Sequence, residues 1–155
     1  MLYKTTEMLY KKLNTMNYSS VINYFETQSL LWADSFRVGD IFQLNSNTNT
    51  YSIINLTINK VTAVKENSER YEVTLFYVDL LNRDRSNLIN IQNDAIESLK
   101  GIVYILSMSS DITLYLPISY IPFTERFTDE CAGAFCTLNF EVMAECYESP
   151  AVDEE

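Results

Sequence analysis

The sequence contains no histidine. That absence removes the commonest general base, the commonest metal ligand and every Ser–His or Cys–His nucleophile pair. Glycine occurs only at Gly39, Gly101 and Gly133, too sparsely for any glycine loop that cradles phosphates. Proline is as rare, which favours long regular elements over tight turns. The three cysteines, Cys131, Cys136 and Cys146, are odd in number and unevenly spaced. They make neither a disulfide framework nor a zinc site, and are expected to be small buried hydrophobes. Positive charge is also scarce, with 11 Lys and Arg against 21 Asp and Glu and a net charge of −10. Holding phosphates requires clustered cations; here they are scattered, so nucleic-acid binding by this chain is not expected. No apolar run approaches the roughly 20 residues of a membrane helix, and Met1 to Lys12 lacks the apolar core of a signal peptide.

What is present is a folding sequence. The chain has 155 residues, 47% hydrophobic and 21% charged, enough for one domain with a real core. Its richness in Tyr, Phe, Ile, Val and Thr favours β structure. The stretch from Tyr71 to Leu106 organises the rest. Tyr71 to Val78 alternates as a strand. Asp79 to Asn87 is a polar, charged corner. Leu88, Ile91, Ala95, Leu99, Ile102, Val103 and Leu106 then recur at helical spacing and form one apolar stripe, with Asn90, Asn93, Asp94, Glu97 and Lys100 on the other side. Such a helix needs a sheet to cover it.

Before this stretch, Thr5 or Thr6 is expected to cap a helix running to about Met16, ended by Asn17 to Ser20. Val21 to Phe25 reads as a short strand, and Gln28 to Phe36, with the only tryptophan, Trp32, as irregular or extended. Arg37 to Asp40 is a turn into a short Ile41–Leu44 strand. The polar loop Asn45 to Thr50 leads to a half-buried strand over Tyr51 to Val64, with Ile54, Leu56, Ile58, Thr62 and Val64 on one face. Lys65 to Glu69 is a hairpin loop.

After the helix, Ile112 to Tyr120 alternates strictly, with Pro117 placing that strand at an edge or marking a bulge. Ile121 to Glu130 reads as a corner. Ala134, Cys136, Leu138, Phe140 and Val142 form the buried face of a last strand. Gly133 is expected at positive φ in a bulge entering that strand. The expected fold is α+β: a single antiparallel β-sheet with the long helix and the N-terminal helix packed on it. One domain spans 1–146, and 147–155 is an acidic C-terminal tail.

Only carboxylates remain for catalysis. Asp79 and Asp84 flank Arg83 and Arg85; Glu125, Asp129 and Glu130 crowd the second corner. Asp84 and Ser86 are expected to cap the long helix, and Arg83, Arg85 and Arg126 to pair with nearby acids or with a neighbouring subunit. No catalytic, metal or cofactor site is assigned and no enzyme activity is expected. A carboxylate enzyme that uses a divalent metal is the enzymatic alternative that these residues leave. The two charged corners, at helix or strand ends, suit a contact surface instead.

Val78-Asp79-Leu80-Leu81-Asn82-Arg83-Asp84-Arg85-Ser86-Asn87, followed by Ile91-Gln92-Asn93-Asp94-Ala95-Ile96, resembles the strand-to-helix signature of a family of bacteriophage tail and neck proteins. That family occurs in phages of Bacteroidetes hosts, including the crAss-like phages. Pro122-Phe123-Thr124-Glu125-Arg126-Phe127-Thr128-Asp129-Glu130-Cys131-Ala132-Gly133, before an alternating strand, is similar to the family's second signature. The resemblance covers about residues 2 to 146 and leaves out the acidic tail. It implies a tail-terminator-like α+β ring protein of the virion: a homo-oligomer, six- or twelve-fold, joining portal or head to tail. Its neighbours would be portal, neck or tail proteins. DNA would pass through its channel without sequence-specific binding, and assembly would take place in the host cytoplasm. The interface residues it implies are Arg83, Arg85, Glu125, Arg126 and Asp129. The net charge of −10 leaves open an alternative from a different class, a small acidic assembly chaperone or protein-binding module.

Overall fold

The computed structural model describes residues 15–44, 50–126 and 129–144, with 125 and 126 described in their backbone only. The architecture is α+β: two helices and a mixed six-stranded sheet. The elements in order are α1 (Tyr18–Ser29), β1 (Ser35–Val38), a 3₁₀ turn (Ile41–Gln43), β2 (Ile53–Lys65), β3 (Ser68–Leu80), α2 (Leu88–Met108), β4 (Ile112–Leu114), β5 (Ile121–Arg126) and β6 (Glu130–Met143). The strand order is β1-β2-β3-β6-β4, with β5 also paired to β6.

The long central elements follow from their patterns. Along α2 the buried residues are Ile91, Ala95, Ser98, Leu99, Ile102, Val103 and Leu106, the stripe that a 3.6-residue period requires. In β6, Ala134, Cys136, Leu138, Phe140 and Val142 are all buried and join Tyr71, Val73, Leu75 and Tyr77 of β3 and Ile54 and Leu56 of β2 in the main core. Register fixes this: Tyr71 sits opposite Phe140, Val73 opposite Leu138 and Leu75 opposite Cys136, so alternate residues of both strands share one face. Tyr71 and Phe140 stack at 5.4 Å, and Phe140 also meets Phe25 of α1 at 5.8 Å. Residues of both helices therefore belong to the core on this one face.

The structure differs from the sequence reading in several places. Helix α1 occupies the segment expected to end one helix and begin a strand. Asn17 is its N-cap: the Asn17 side chain accepts from the Ser20 backbone N–H at 2.9 Å, and the Ser20 hydroxyl accepts from the Asn17 N–H. This reciprocal capping box outweighs the strand preference of Val21, Ile22, Tyr24 and Phe25. The helix expected over residues 5–14 lies outside the described residues, but it does not reach Met16. Thr15 bridges Met143 in parallel, and the Met16 N–H bonds the Met143 carbonyl at 2.8 Å.

The sheet is not purely antiparallel, because β1 runs parallel to β2, pairing Ser35 with Ile53 through Val38 with Leu56. Ile41–Leu44 is no strand: Asp40 caps a 3₁₀ turn there, accepting from the Phe42 N–H at 2.9 Å. The β2–β3 loop is only residues 66 and 67, since pairing continues to Lys65 opposite Ser68. Register shifts at 58/60 and 63/65 break the parity expected along β2. The run Ile112–Tyr120 is a strand only as far as Leu114, at the sheet edge. The expected corner at 121–130 is mostly β5, antiparallel to β6. Cys131 and Cys136 are free and buried; Cys146 and the acidic tail lie outside the described residues.

Near its start, β2 has four consecutive buried residues, Ile53, Ile54, Asn55 and Leu56, because this end of the sheet is covered on both faces. Opposite the helices, a smaller cluster joins Ile41, Leu44, Ile53, Val78 and Cys131, with Phe76 and Phe123 against it. Polar bonds tie the segment after β1 onto this face. Arg37 donates to the Asn55 Oδ1 and to the Asp40 carbonyl, both at 2.7 Å. Asn55 Nδ2 donates to the Gly39 carbonyl at 3.0 Å.

Candidate functional site

The structure brings the two charged corners to one end of the sheet. Leu80 of β3 lies opposite Cys131 of β6, and the Leu81 N–H bonds the Glu130 carbonyl at 3.1 Å. The backbones of Glu125 and Arg126 reach the same end, paired with Cys131 and Glu130. All five expected interface positions are thus in one region, although the two corners that carry them lie 40 residues apart in sequence, from Arg85 to Glu125.

The first corner is held by its own side chains. The Asn82 N–H donates to Asn87 Oδ1 at 2.9 Å, and Asn82 Nδ2 to the Ser86 hydroxyl at 3.2 Å. Asn87 Nδ2 returns to the Leu80 carbonyl at 3.1 Å, and the Ser86 N–H donates to Asp84 Oδ1 at 3.1 Å. Short polar side chains favour such local bonds. Asp84 and Ser86 therefore bond each other and are not the cap of α2. The capping position belongs to Asn87, whose side chain makes no cap bond. The Ser86 bonds hold the Asp84 carboxyl below its ordinary range. Arg85 adopts φ 58°, a left-handed conformation that costs a non-glycine residue about 1 kcal/mol. The bonds at Asn82, Ser86 and Asn87 stabilise that geometry.

Arg83 and Arg85 are exposed. Among the described residues the ion pairs are Lys60–Glu72, Arg70–Glu141 and Lys100–Glu97, and neither arginine takes part in one. Asp129 is already engaged within the chain, accepting from the Tyr51 hydroxyl at 3.1 Å. Tyr51 also meets the buried Cys131. Burial, with these neighbours, pushes the Tyr51 hydroxyl pKa well up, and burial raises the Cys131 thiol to about 11. The thiolate form is therefore rare at neutral pH, and with it reactivity. Burial likewise raises Cys136 to about 12.

Asp79 is half-buried at the end of β3 and accepts from the Leu80 N–H at 2.8 Å. Burial raises its carboxyl above the ordinary value; the Leu80 bond opposes this, and the charges of Asp34 and Asp94 add to the rise. A carboxylate whose folded pKa is raised destabilises the fold above that pKa, and the penalty fades as pH falls towards the unfolded value. Asp79→Asn is therefore expected to stabilise at pH 7, by a fraction of about 1 kcal/mol given solvent screening. That corresponds to a Tm increase of roughly 1–3 °C, which shrinks towards pH 4. Thermal unfolding at both pH values measures it, and a lower Tm at pH 7 would contradict it.

Among the described residues no group of three His, Cys, Asp or Glu is placed to hold a metal ion, and no helix is long and apolar enough to cross a membrane. Sequence reasoning missed the Arg37–Asn55 pair and the Tyr51–Asp129 contact. The one available signal was the polar Asn55 inside the apolar run Ile53–Leu56. No family model matches the chain, and no curated protein compared with it matches either.

Proposed function

We propose that this chain is a structural subunit of a bacteriophage virion, with a tail-terminator-like fold, that assembles with copies of itself into a neck or tail ring around the DNA channel and joins portal or head to tail. The single observation that carries this reading is the rigid charged corner. Five positions singled out for contact lie at one end of the sheet. Two exposed arginines there have no ion pair among the described residues, and local bonds hold their turn. A preorganised turn loses little entropy on docking, and arginine suits a partner carboxylate better than lysine does. The excess of acid over base suits a channel wall along which DNA slides without being held.

A small acidic chaperone or binding module for a basic partner is the second reading, favoured by the net charge of −10. Arg83→Glu separates the two. In a ring it is expected to lower assembly by at least about tenfold with an unchanged circular-dichroism spectrum, and virions should contain the wild-type chain at a fixed ratio to portal. A variant that assembles normally, or virions without the chain, would overturn the ring reading.

A further inference from the structure

A short strap lies on the outer face of the sheet, and its fastening is separate from the fold beneath it. After β1 the chain leaves the sheet at Gly39. The Gly39 N–H bonds the Leu56 carbonyl at 3.0 Å. Its own carbonyl accepts from Asn55 Nδ2 at 3.0 Å and from the Thr57 hydroxyl at 2.9 Å. Gly39 is therefore pinned to β2. Residues 40–44, which follow, are the strap. Ile41 and Leu44 are buried in one cluster with Ile53, Val78 and Cys131, while Phe42 and Gln43 are exposed.

The strap carries bonds of its own. The Asp40 side chain accepts from the Phe42 N–H at 2.9 Å. The Gln43 N–H bonds the Asp40 carbonyl and the Leu44 N–H the Ile41 carbonyl, both at 3.2 Å. These bonds move with the strap. Arg37 makes the bonds that cross to it, donating to the Asp40 carbonyl at 2.7 Å and to the Gln43 side chain at 3.2 Å. Its bond to Asn55 at 2.7 Å fixes the guanidinium to β2. One flank of the strap is not packed down. A cleft of about 550 Å³ is lined by Asp40, Ile41 and Phe42 on the strap and by Thr57, Thr74 and Phe76 on the sheet. Sparse packing of this kind marks segments that open locally.

We infer that residues 40–44 are a latch: they swing off the sheet as one unit, hinged at Gly39 and caught by Arg37, while the rest of the domain stays folded. Opening breaks the two Arg37 bonds to the strap and bares the floor of Ile53, Val78 and Cys131. Gly39 has φ 139°, a backbone conformation that glycine adopts without strain. The floor adjoins the charged corner, because Val78 lies two residues before Leu80, and Leu80 is opposite Cys131. Under the assembly reading above, the latch keeps this apolar floor covered in a free subunit, beside the end proposed for contact. The latch itself stands on the geometry and not on that reading.

Iodoacetamide labelling of the folded protein, with each cysteine followed by peptide mass spectrometry, tests the latch. Cys131 reports its opening. Cys136, buried in the main core, reports unfolding of the whole domain. In the wild type Cys131 is expected to react at least about tenfold faster than Cys136. Arg37→Gln removes the catch and is expected to speed Cys131 by about tenfold more, with Cys136 unchanged. Equal rates at the two cysteines of the wild type overturn the inference, since the floor then opens only with the whole domain. An Arg37→Gln variant that leaves Cys131 unchanged, or speeds both cysteines alike, overturns it too. None of these results depends on the mass of the native particle, so the latch and the assembly reading fail separately.

Discussion

Replacing Gly133 with alanine is expected to destabilise the protein by at least about 3 kcal/mol, among the largest single-residue effects in this fold. A Cβ at this position would stand 1.7 Å from the Tyr77 carbonyl oxygen and 2.8 Å from its carbon. These are backbone atoms of β3, so relief requires the central β3–β6 pair to separate. On the other side Phe123 Cζ lies at 3.3 Å. The requirement for glycine is close approach and not backbone freedom. Gly133 pairs in register with Val78 and Phe123, and the one glycine with positive φ is Gly39. The expectation of a positive-φ bulge was therefore wrong in cause. The expected drop in Tm is at least roughly 6 °C, with valine worse than alanine. An alanine variant that melts like wild type would show that the strands relax easily here.

Asn55→Leu is the second large effect, expected at about 2–3 kcal/mol. Asn55 is fully buried. Its oxygen accepts from Arg37 at 2.7 Å; its nitrogen donates to the Gly39 carbonyl at 3.0 Å and meets the Thr57 hydroxyl at 3.2 Å. Thr57 donates to the same carbonyl at 2.9 Å, so that acceptor keeps one partner in the variant. Arg37 fares worse. It keeps the Asp40 carbonyl and the Gln43 side chain, but a half-buried guanidinium loses one of its three acceptors. Leucine fills the volume, so lost packing is not the cause. The segment 39–44, which covers Ile53 and Val78, is expected to loosen first. Faster amide exchange at residues 39–44 than at β3 measures this, and uniform protection with an unchanged Tm would contradict it.

How much of this was legible varied with the range of the interactions. The α2 stripe, β3 and the buried face of β6 were readable because each is long, periodic and covered on one side. Helix α1 was not, because its strand-forming residues masked the Asn17–Ser20 capping box. Strand β1 has four residues and owes its existence to pairing with β2 across the turn and loop. Strand β5 carries Pro122 and charged residues at its end, the composition of a corner, yet it pairs along its length with β6. In β2, four buried residues in a row broke the alternation because a second layer, the 3₁₀ turn, covers that end. The charged corners were visible as composition. Their meeting at one end of the sheet was not, since it depends on the β3–β6 register. Arg37 and Asn55 lie 18 residues apart on parallel neighbours, and no local pattern marks such a pair.

The central claim is that the chain works by assembling with itself, and the mass of its native particle tests that most directly. Mass photometry of the purified protein is expected to show a single six- or twelve-fold species that dissociates when contact residues are changed. A monomer at every concentration tested would contradict the ring and shift the account to an acidic module that acts through a different partner.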